Sequence, residues 1–430
     1  MQKVSSLIAL GVFAAPSLAL AAGLYVPDTG TTARARGGAF CVAADDPLAM
    51  YYNPAGLADQ HQKNQLLIDI TALQLSLKFD RRASDIPADS IYGASSTNKP
   101  PVQIVPDIVF IHSFSEKFSF GGGLHAPTGA RYHFATGSQR FTLNDLFLTE
   151  GNIGITAGYR PIKQLAIGAT LETLTSGVHQ KFTLTNNVHQ PQSEAPVYDV
   201  PAKLDAEQML NPTAVLGVKV TPVDSWEFGV AYRPAVHLNM PGKLSGGPIS
   251  GKPIHFTSDL ASILRIGGRF VRPTWDYELD LVREDWSVHK EDKVTADTGN
   301  LVTTKSSSVT RNWVPAYSVR GGSTFRLSEV VRGMAGWYYE TSAVKKEYMD
   351  VGSFDAPKFG LNVGAKYDIG KTFTLSGNLS HTLMATQTVT NSRQLQQTGF
   401  TADPGALTTI GNGKYTGAFD FFGVQLLSKF

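Results

Sequence analysis

About fourteen two-faced segments, joined alternately by short and long connections, leave this 430-residue chain few folds. They fall at roughly 66–79, 102–114, 117–126, 150–160, 163–175, 212–221, 225–234, 262–272, 275–286, 313–326, 329–341, 358–367, 372–384 and 415–430. Ser115-Glu116, Pro161-Ile162, Pro222-Val223-Asp224, Pro273-Thr274, Leu327-Ser328 and Asp368-Ile369-Gly370-Lys371 are tight joints, whereas 176–211, 235–261 and 385–414 are long. Short turns on one side of a membrane and longer loops on the other are the habit of a transmembrane antiparallel barrel. A soluble sandwich has no reason to keep that rhythm. The fold class is therefore all-β, a transmembrane antiparallel β-barrel of about 14 strands, with both termini on the short-turn side.

The faces agree. Leu73-Gln74-Leu75-Ser76-Leu77-Lys78-Phe79, Trp275–Leu281 and Phe359–Tyr367 alternate strictly. Asp276, Glu278 and Asp280 are tolerable only toward a lumen, because carboxylates facing lipid are costly. The last strand carries Phe422, Val424 and Leu426 on the face of the terminal Phe430. Closing the first strand on the last removes sheet edges that hydrocarbon does not tolerate. The apolar face is expected outside and a wet lumen within. At the other end, Lys3, the apolar run Leu7–Ala15, Pro16 and Ala19-Leu20-Ala21 read as a signal peptide over 1–21. Beyond it no run reaches the ~18 apolar residues of a membrane helix.

A net charge of +2 without a basic block speaks against nucleic acid as a partner. The lone Cys41 forms no internal disulfide and reads as a packed small residue. No HExxH, GxSxG or GxxxxGK[ST] occurs, and Gly411-Asn412-Gly413-Lys414 lacks both the spacing and the hydroxyl. No catalytic residue, cofactor or metal site is expected. A diffusion porin for polar solutes and a barrel-embedded hydrolase are the alternative classes.

Residues 22–62 do not alternate. Phe40, Leu48, Met50, Tyr51, Tyr52 and Leu57 favour a packed plug over a disordered tail, with a short helical turn at Pro47–Met50. Asp45 and Asp46 are expected to pair with Arg34 or Arg36, or to cap that turn. Asn53 is suited to bonding backbone groups, and Pro54 denies the plug a strand edge.

Arg36-Gly37-Gly38-Ala39, Asp45-Asp46-Pro47 and Asn53-Pro54-Ala55-Gly56-Leu57 resemble the hatch of the FadL/TodX family. Ala22-Gly23-Leu24, Phe118–Gly129 and the final strand are similar to that family too. The resemblance implies an outer-membrane transporter of long-chain fatty acids or aromatic hydrocarbons in a Gram-negative bacterium. It divides the chain into a signal peptide (1–21), a hatch (22–62) with Arg36, Asp45, Asp46, Asn53, Pro54 and Ala55 in gating roles, and a barrel (63–430). It also implies a wall gap at a kinked third strand. Gly121, Gly122, Gly123 and Pro127 supply a cause for the kink; the alternative reading is that the glycines simply make room for the hatch. Release sideways into the membrane suits apolar cargo, since each CH₂ moved from water to hydrocarbon gains about 0.8 kcal/mol.

Loop 127–149, with Tyr132, Phe134, Phe141, Leu143, Leu146, Phe147 and Leu148, is expected to form an external hydrophobic groove or to cap the barrel's own end. NDLFLTE is expected to form a short amphipathic helix. Lys219, Arg320 and Lys366, read as inward-facing, are candidates for a carboxylate head group. The expected partners are a hydrophobic small molecule, outer-membrane lipid and lipopolysaccharide, around a monomer.

Overall fold

The structure is a computed structural model that describes residues 28–246, 251–296, 306–398 and 404–430. The signal peptide and the Ala22-Gly23-Leu24 start lie outside the described residues. The strands run β1 (Asn64–Arg81), β2 (Ser95–Thr97), β3 (Gln103–Ser115), β4 (Phe118–His133), β5 (Asp145–Ile162), β6 (Leu165–Thr185) and β7 (Asp199–Val223). Then come β8 (Trp226–Arg233), β9 (Val236–Ser245), β10 (Lys252–Leu260), β11 (Ser262–Val271), β12 (Trp275–Asp285), β13 (Glu291–Ala296) and β14 (Ser306–Thr310). The rest are β15 (Ala316–Arg326), β16 (Val331–Glu340), β17 (Lys358–Ile369), β18 (Phe373–Met384), β19 (Gln387–Val389) and β20 (Gly413–Lys429). Of these, β2, β9, β10, β13, β14 and β19 extend the wall outward, so fourteen strands form the cylinder. β1 and β20 close it, antiparallel from Gln65↔Lys429 to Arg81↔Gly413. The tight turns match the sequence reading to within a residue or two. Beside them Trp226, Phe270, Trp275, Phe325 and Phe373 face outward, an aromatic girdle at the periplasmic interface.

The alternation changes phase partway up the wall. In the lower part of β1, Ile68 and Ile70 point outward, while Asp69 and Thr71 point inward. In its upper part Leu73, Leu75, Leu77 and Phe79 are buried inside, and Ser76 and Lys78 face out. In β6 Ile167 and Leu171 face lipid, whereas Leu174, Val178, Phe182 and Leu184 face the lumen. Lipid sets the outward polarity below, and water and head groups set it above. The expected wet lumen is thus correct only for the lower half. The upper lumen is a continuous apolar cluster that includes Leu73, Tyr132, Leu146, Phe182, Phe256 and Phe419.

Two further expectations are corrected. The long connection at 176–211 is mostly strand, because β6 continues to Thr185 and β7 starts at Asp199. NDLFLTE is not helical. Asp145 to Glu150 lie in β5, where Leu146 and Leu148 turn inward and Phe147 and Thr149 outward, a period of two rather than 3.6.

Inside the cylinder, residues 28–62 fold into α1 (Thr31–Ala35), α2 (Ala49–Tyr52) and a 3₁₀ turn, Pro54–Asp59. From the other side the loop after β16 folds inward. Met349, Val351, Phe354 and Ala356 are buried, and Phe354 stacks on Tyr415 of β20 at 5.6 Å.

Candidate functional site

The plug is seated by acids on the wall and by its own main chain. Arg36 donates to Asp276 (2.7 Å), Glu278 (3.1 Å), Thr324 (2.6 Å) and the Ala39 carbonyl (3.1 Å). Glu278 also accepts the N–H groups of Val42 (2.6 Å) and Ala43 (3.0 Å), and Asp280 those of Phe40 and Cys41, both at 3.0 Å. The three acids of β12 therefore grip residues 36–43 as a ladder. Gly37 and Gly38 adopt φ of +66° and +77°, a left-handed turn that suits glycine and explains the Arg-Gly-Gly sequence.

Asn53 is fully buried. Its Nδ2 donates to the carbonyls of Cys41 (2.8 Å) and Val218 (3.1 Å), and its Oδ1 accepts from Ala55 N (3.1 Å). One amide thus ties two parts of the plug to β7. Elsewhere the plug rests on wall glycines. A methyl group on Gly158, Gly168, Gly217 or Gly229 would overlap the Cys41 or Asn53–Ala58 atoms, and one on Gly322, Gly336, Gly364 or Gly423 would overlap residues 31–39.

The acid pairing expected within the plug is not found. Asp45 approaches Lys366 at 3.5 Å. Asp46 caps the Leu48 N–H (2.9 Å) and accepts from Gln425 (3.2 Å). Burial lifts the Asp46 carboxyl to about 7, against the opposing pull of Lys366. The three candidate head-group cations do face inward, but each is already engaged. Lys219 pairs with Asp59 (2.8 Å) and Glu227 (3.1 Å), Arg320 with Asp28 and with Glu340 (3.2 Å), and Lys366 with Asp45.

Beside the plug the wall is interrupted. β3 and β4 pair only as far as Ile108↔Leu124. Above that point β3 continues against β1, up to Leu73↔Gln103, while β4 continues against β5. Between His125 and Thr128 β4 carries one residue more than β5, so Ala126-Pro127 form a bulge that reverses which side chains point inward. The Pro127 backbone lies in this bulge, but its side chain is outside the described residues. Gly121, Gly122 and Gly123 meet the backbones of β3 and β5, not the plug. The opening is a cavity of about 290 Å³ whose rim includes Ile104, Pro106, Ala126, Arg131 and Phe147.

At its base stand residues that the sequence reading passed over. Asp69 and Asp107, opposite each other on β1 and β3, are fully buried. Asp107 accepts from the Ala126 N–H (2.9 Å) at the bulge and from the Thr29 hydroxyl (2.7 Å) of the plug, while Asp69 accepts the Thr31 N–H (2.7 Å). His125 bonds Glu172 (2.9 Å), which Asn152 also reaches (3.2 Å). A lone inward acid in each of two apolar strands was the available signal.

Phe134, Phe141, Leu143 and Leu146 are nearly or fully buried, so they do not form the external groove expected of them. Only Phe147 faces outward, with the Arg131 guanidinium 5.2 Å above its ring. The lumen cluster approaches the opening through a crevice narrowed to about 10 Å³, lined by Leu73, Leu75, Ala130 and Phe419 from the cluster and by Gln103 and Arg131 from the rim. Among the described residues no cluster of His, Cys, Asp and Glu could hold a metal ion.

A family profile for outer membrane protein transport proteins (OMPP1/FadL/TodX) matches residues 12–419. No curated protein matches by sequence. A solved Pseudomonas aeruginosa FadL homologue superposes with a TM-score of 0.78 at 14% identity, covering 95% of this chain and 100% of that one. The Ralstonia pickettii toluene transporter TbuX gives 0.69 at 14%, covering 94% and 99%. The Pseudomonas putida toluene transporter TodX gives 0.68 at 14%, also covering 94% and 99%.

Proposed function

Because this chain belongs to the OMPP1/FadL/TodX family of outer-membrane transport proteins, we propose that it passes uncharged hydrocarbons through its upper lumen and out sideways at the seam between β3 and β4. The observation that carries this reading is the adjacency of the apolar lumen cluster to the gap, the two being separated by a crevice of about 10 Å³ whose lining residues belong to both. An apolar molecule leaving there enters the membrane without crossing the polar, plugged lower lumen, which is the downhill route. The plug reaches the seam through Thr29 and Asp107, so displacement of residues 28–31 frees the acid that satisfies the bulge. That link makes the plug the gate. The wall cations Lys219, Arg320 and Lys366 then anchor the plug instead of binding a carboxylate, which favours aromatic hydrocarbons over long-chain fatty acids as cargo. The protein works as a monomer and carries out no chemistry on its cargo.

The chain's own cysteine is buried, so two introduced thiols can be modified selectively. In a Gln103→Cys/Arg131→Cys variant, a reversible bis-thiosulfonate bridge should stop toluene uptake, and reduction should restore it. Uptake at the unbridged rate while the bridge is intact would refute the lateral route. Oleate taken up as readily as toluene would refute the choice of cargo.

A further inference from the structure

A wide groove lies outside the lumen, on the lipid-facing wall of β15–β18, β20 and β1. Its volume is about 880 Å³. Small outward residues make it: Gly321, Ser323 and Ala335 lie between Tyr277 and Trp337 on one side and Leu361, Leu379 and Phe422 on the other. At its upper rim three polar residues stand side by side on adjacent strands. His381 is opposite Asp420, and Asp420 is opposite Gln74. His381 Nδ1 and Asp420 Oδ1 are 2.6 Å apart, and both side chains are about half exposed, at 53% and 55%.

Their height follows from the strand. Asp420 is ten residues above Phe430, which at ~3.3 Å per residue and a ~40° tilt puts it about 25 Å above that terminal aromatic residue. That is the outer edge of the hydrocarbon layer, and β1 and β20 change phase at the same row. Ionisable groups facing lipid are unusual and need partners. Other cross-strand pairs of this type, His133–Asp145, His179–Asp205 and His237–Asp259, lie farther along their strands from the short turns. Among the described residues, the His381–Asp420 pair is the one that lines this groove.

We propose that the groove seats one acyl chain of lipid A, with the hydroxyl and amide of its hydroxyacyl linkage bonded by His381, Asp420 and Gln74. The outer leaflet offers these groups at this depth. A linkage that both donates and accepts matches a histidine, a carboxylate and an amide together. A carboxylate or phosphate head would instead meet Asp420 and be repelled, and a simple ester only accepts. The apolar floor, with its aromatic residues at one end, suits the chain itself. Val102 lines both this groove and the gap between β3 and β4, so the seated chain lies next to the opening.

The test uses the full mature protein in detergent, with lipid A, palmitate and phosphatidylethanolamine titrated separately and retention read by native mass spectrometry. Two variants are compared with the wild type: H381L/D420L, which removes the polar rim, and A335W, which fills the floor and leaves the rim intact. Both place apolar groups where lipid already lies, and heat-modifiable gel migration verifies folding. One lipid A should remain on the wild type, bind about tenfold more weakly to H381L/D420L, the loss expected for two hydrogen bonds, and be lost from A335W because the indole occupies the seat of the acyl chain. Palmitate and phosphatidylethanolamine should not distinguish the three proteins. Equal retention of lipid A by all three would overturn the proposal. So would a palmitate or phospholipid signal that falls in both variants. Toluene uptake is measured in parallel, so a failure of this site can be separated from a failure of the transport reading.

Discussion

Arg36→Ala should unseat the plug without unfolding the barrel. The guanidinium is almost fully buried and makes four hydrogen bonds, two of them to the carboxylates of Asp276 and Glu278. Truncation leaves those acids unequally served. Asp276 keeps Arg269 at 2.7 Å, whereas Glu278 keeps the Val42 and Ala43 N–H groups but, among the described residues, no salt-bridge partner. Removing one partner of a buried ion pair costs about 3–5 kcal/mol, which corresponds to a shift of roughly a hundredfold to several thousandfold toward the unseated plug. The barrel is insulated from this loss because β1 and β20 close it independently of Arg36. Planar-bilayer recordings should show the wild type quiet and R36A conducting in long openings, with unchanged heat-modifiable migration. Arg36→Lys keeps the charge but loses the two-pronged grip, and should fall between. Adding Glu278→Gln to R36A removes the stranded charge and should recover part of the seating. An R36A protein as quiet as the wild type would refute the view that the β12 acids hold the plug through Arg36.

Asn53→Ala removes two donor bonds and a cap, at a cost of about 2–3 kcal/mol, and hydrogen exchange in residues 45–57 should accelerate. Gly217→Ala should do the same by steric overlap with Asn53, while outward-facing Gly268→Ala should not. Phe354→Ala opens space in the upper lumen and should speed uptake of bulky aromatics while costing about 3–5 kcal/mol of local stability; unchanged uptake would show that the inward loop does not obstruct the path. Asp46 gives a pH dependence. The seated carboxyl titrates near 7 and the free one near 3.8, so the seated plug holds the extra proton between these values and loses this stabilisation, up to about 4 kcal/mol, as pH rises through that window. Openings should be more frequent at pH 8 than at pH 5, and Asp46→Asn should flatten the difference.

The lower barrel was legible because lipid imposes a strict rule there. Asp276, Glu278 and Asp280 could face only inward, and the turn rhythm gave the strand count. The upper barrel was misread because the rule changes sign at Leu73 in β1 and at Leu174 in β6. Strands whose apolar residues swap faces look, in sequence, as if they had ended. Phe134 and Leu146 looked too apolar for an outer loop because they line the lumen. Seats made by glycine backbone, such as that of Asn53 against Gly217, leave only a rich glycine content as their trace. Ion pairs such as Lys219–Asp59 join residues far apart in the chain, and no local pattern announces them.

The plug is made first but can be housed only last. Its contacts include Asp69 on the first strand, Asp107 on the next wall strand, the β12 acids in the middle of the chain and Gln425 on the last strand. Its berth therefore does not exist until the cylinder has zipped shut. During biogenesis residues 28–62 must be kept waiting in the periplasm, and their docking marks a barrel that has been completed.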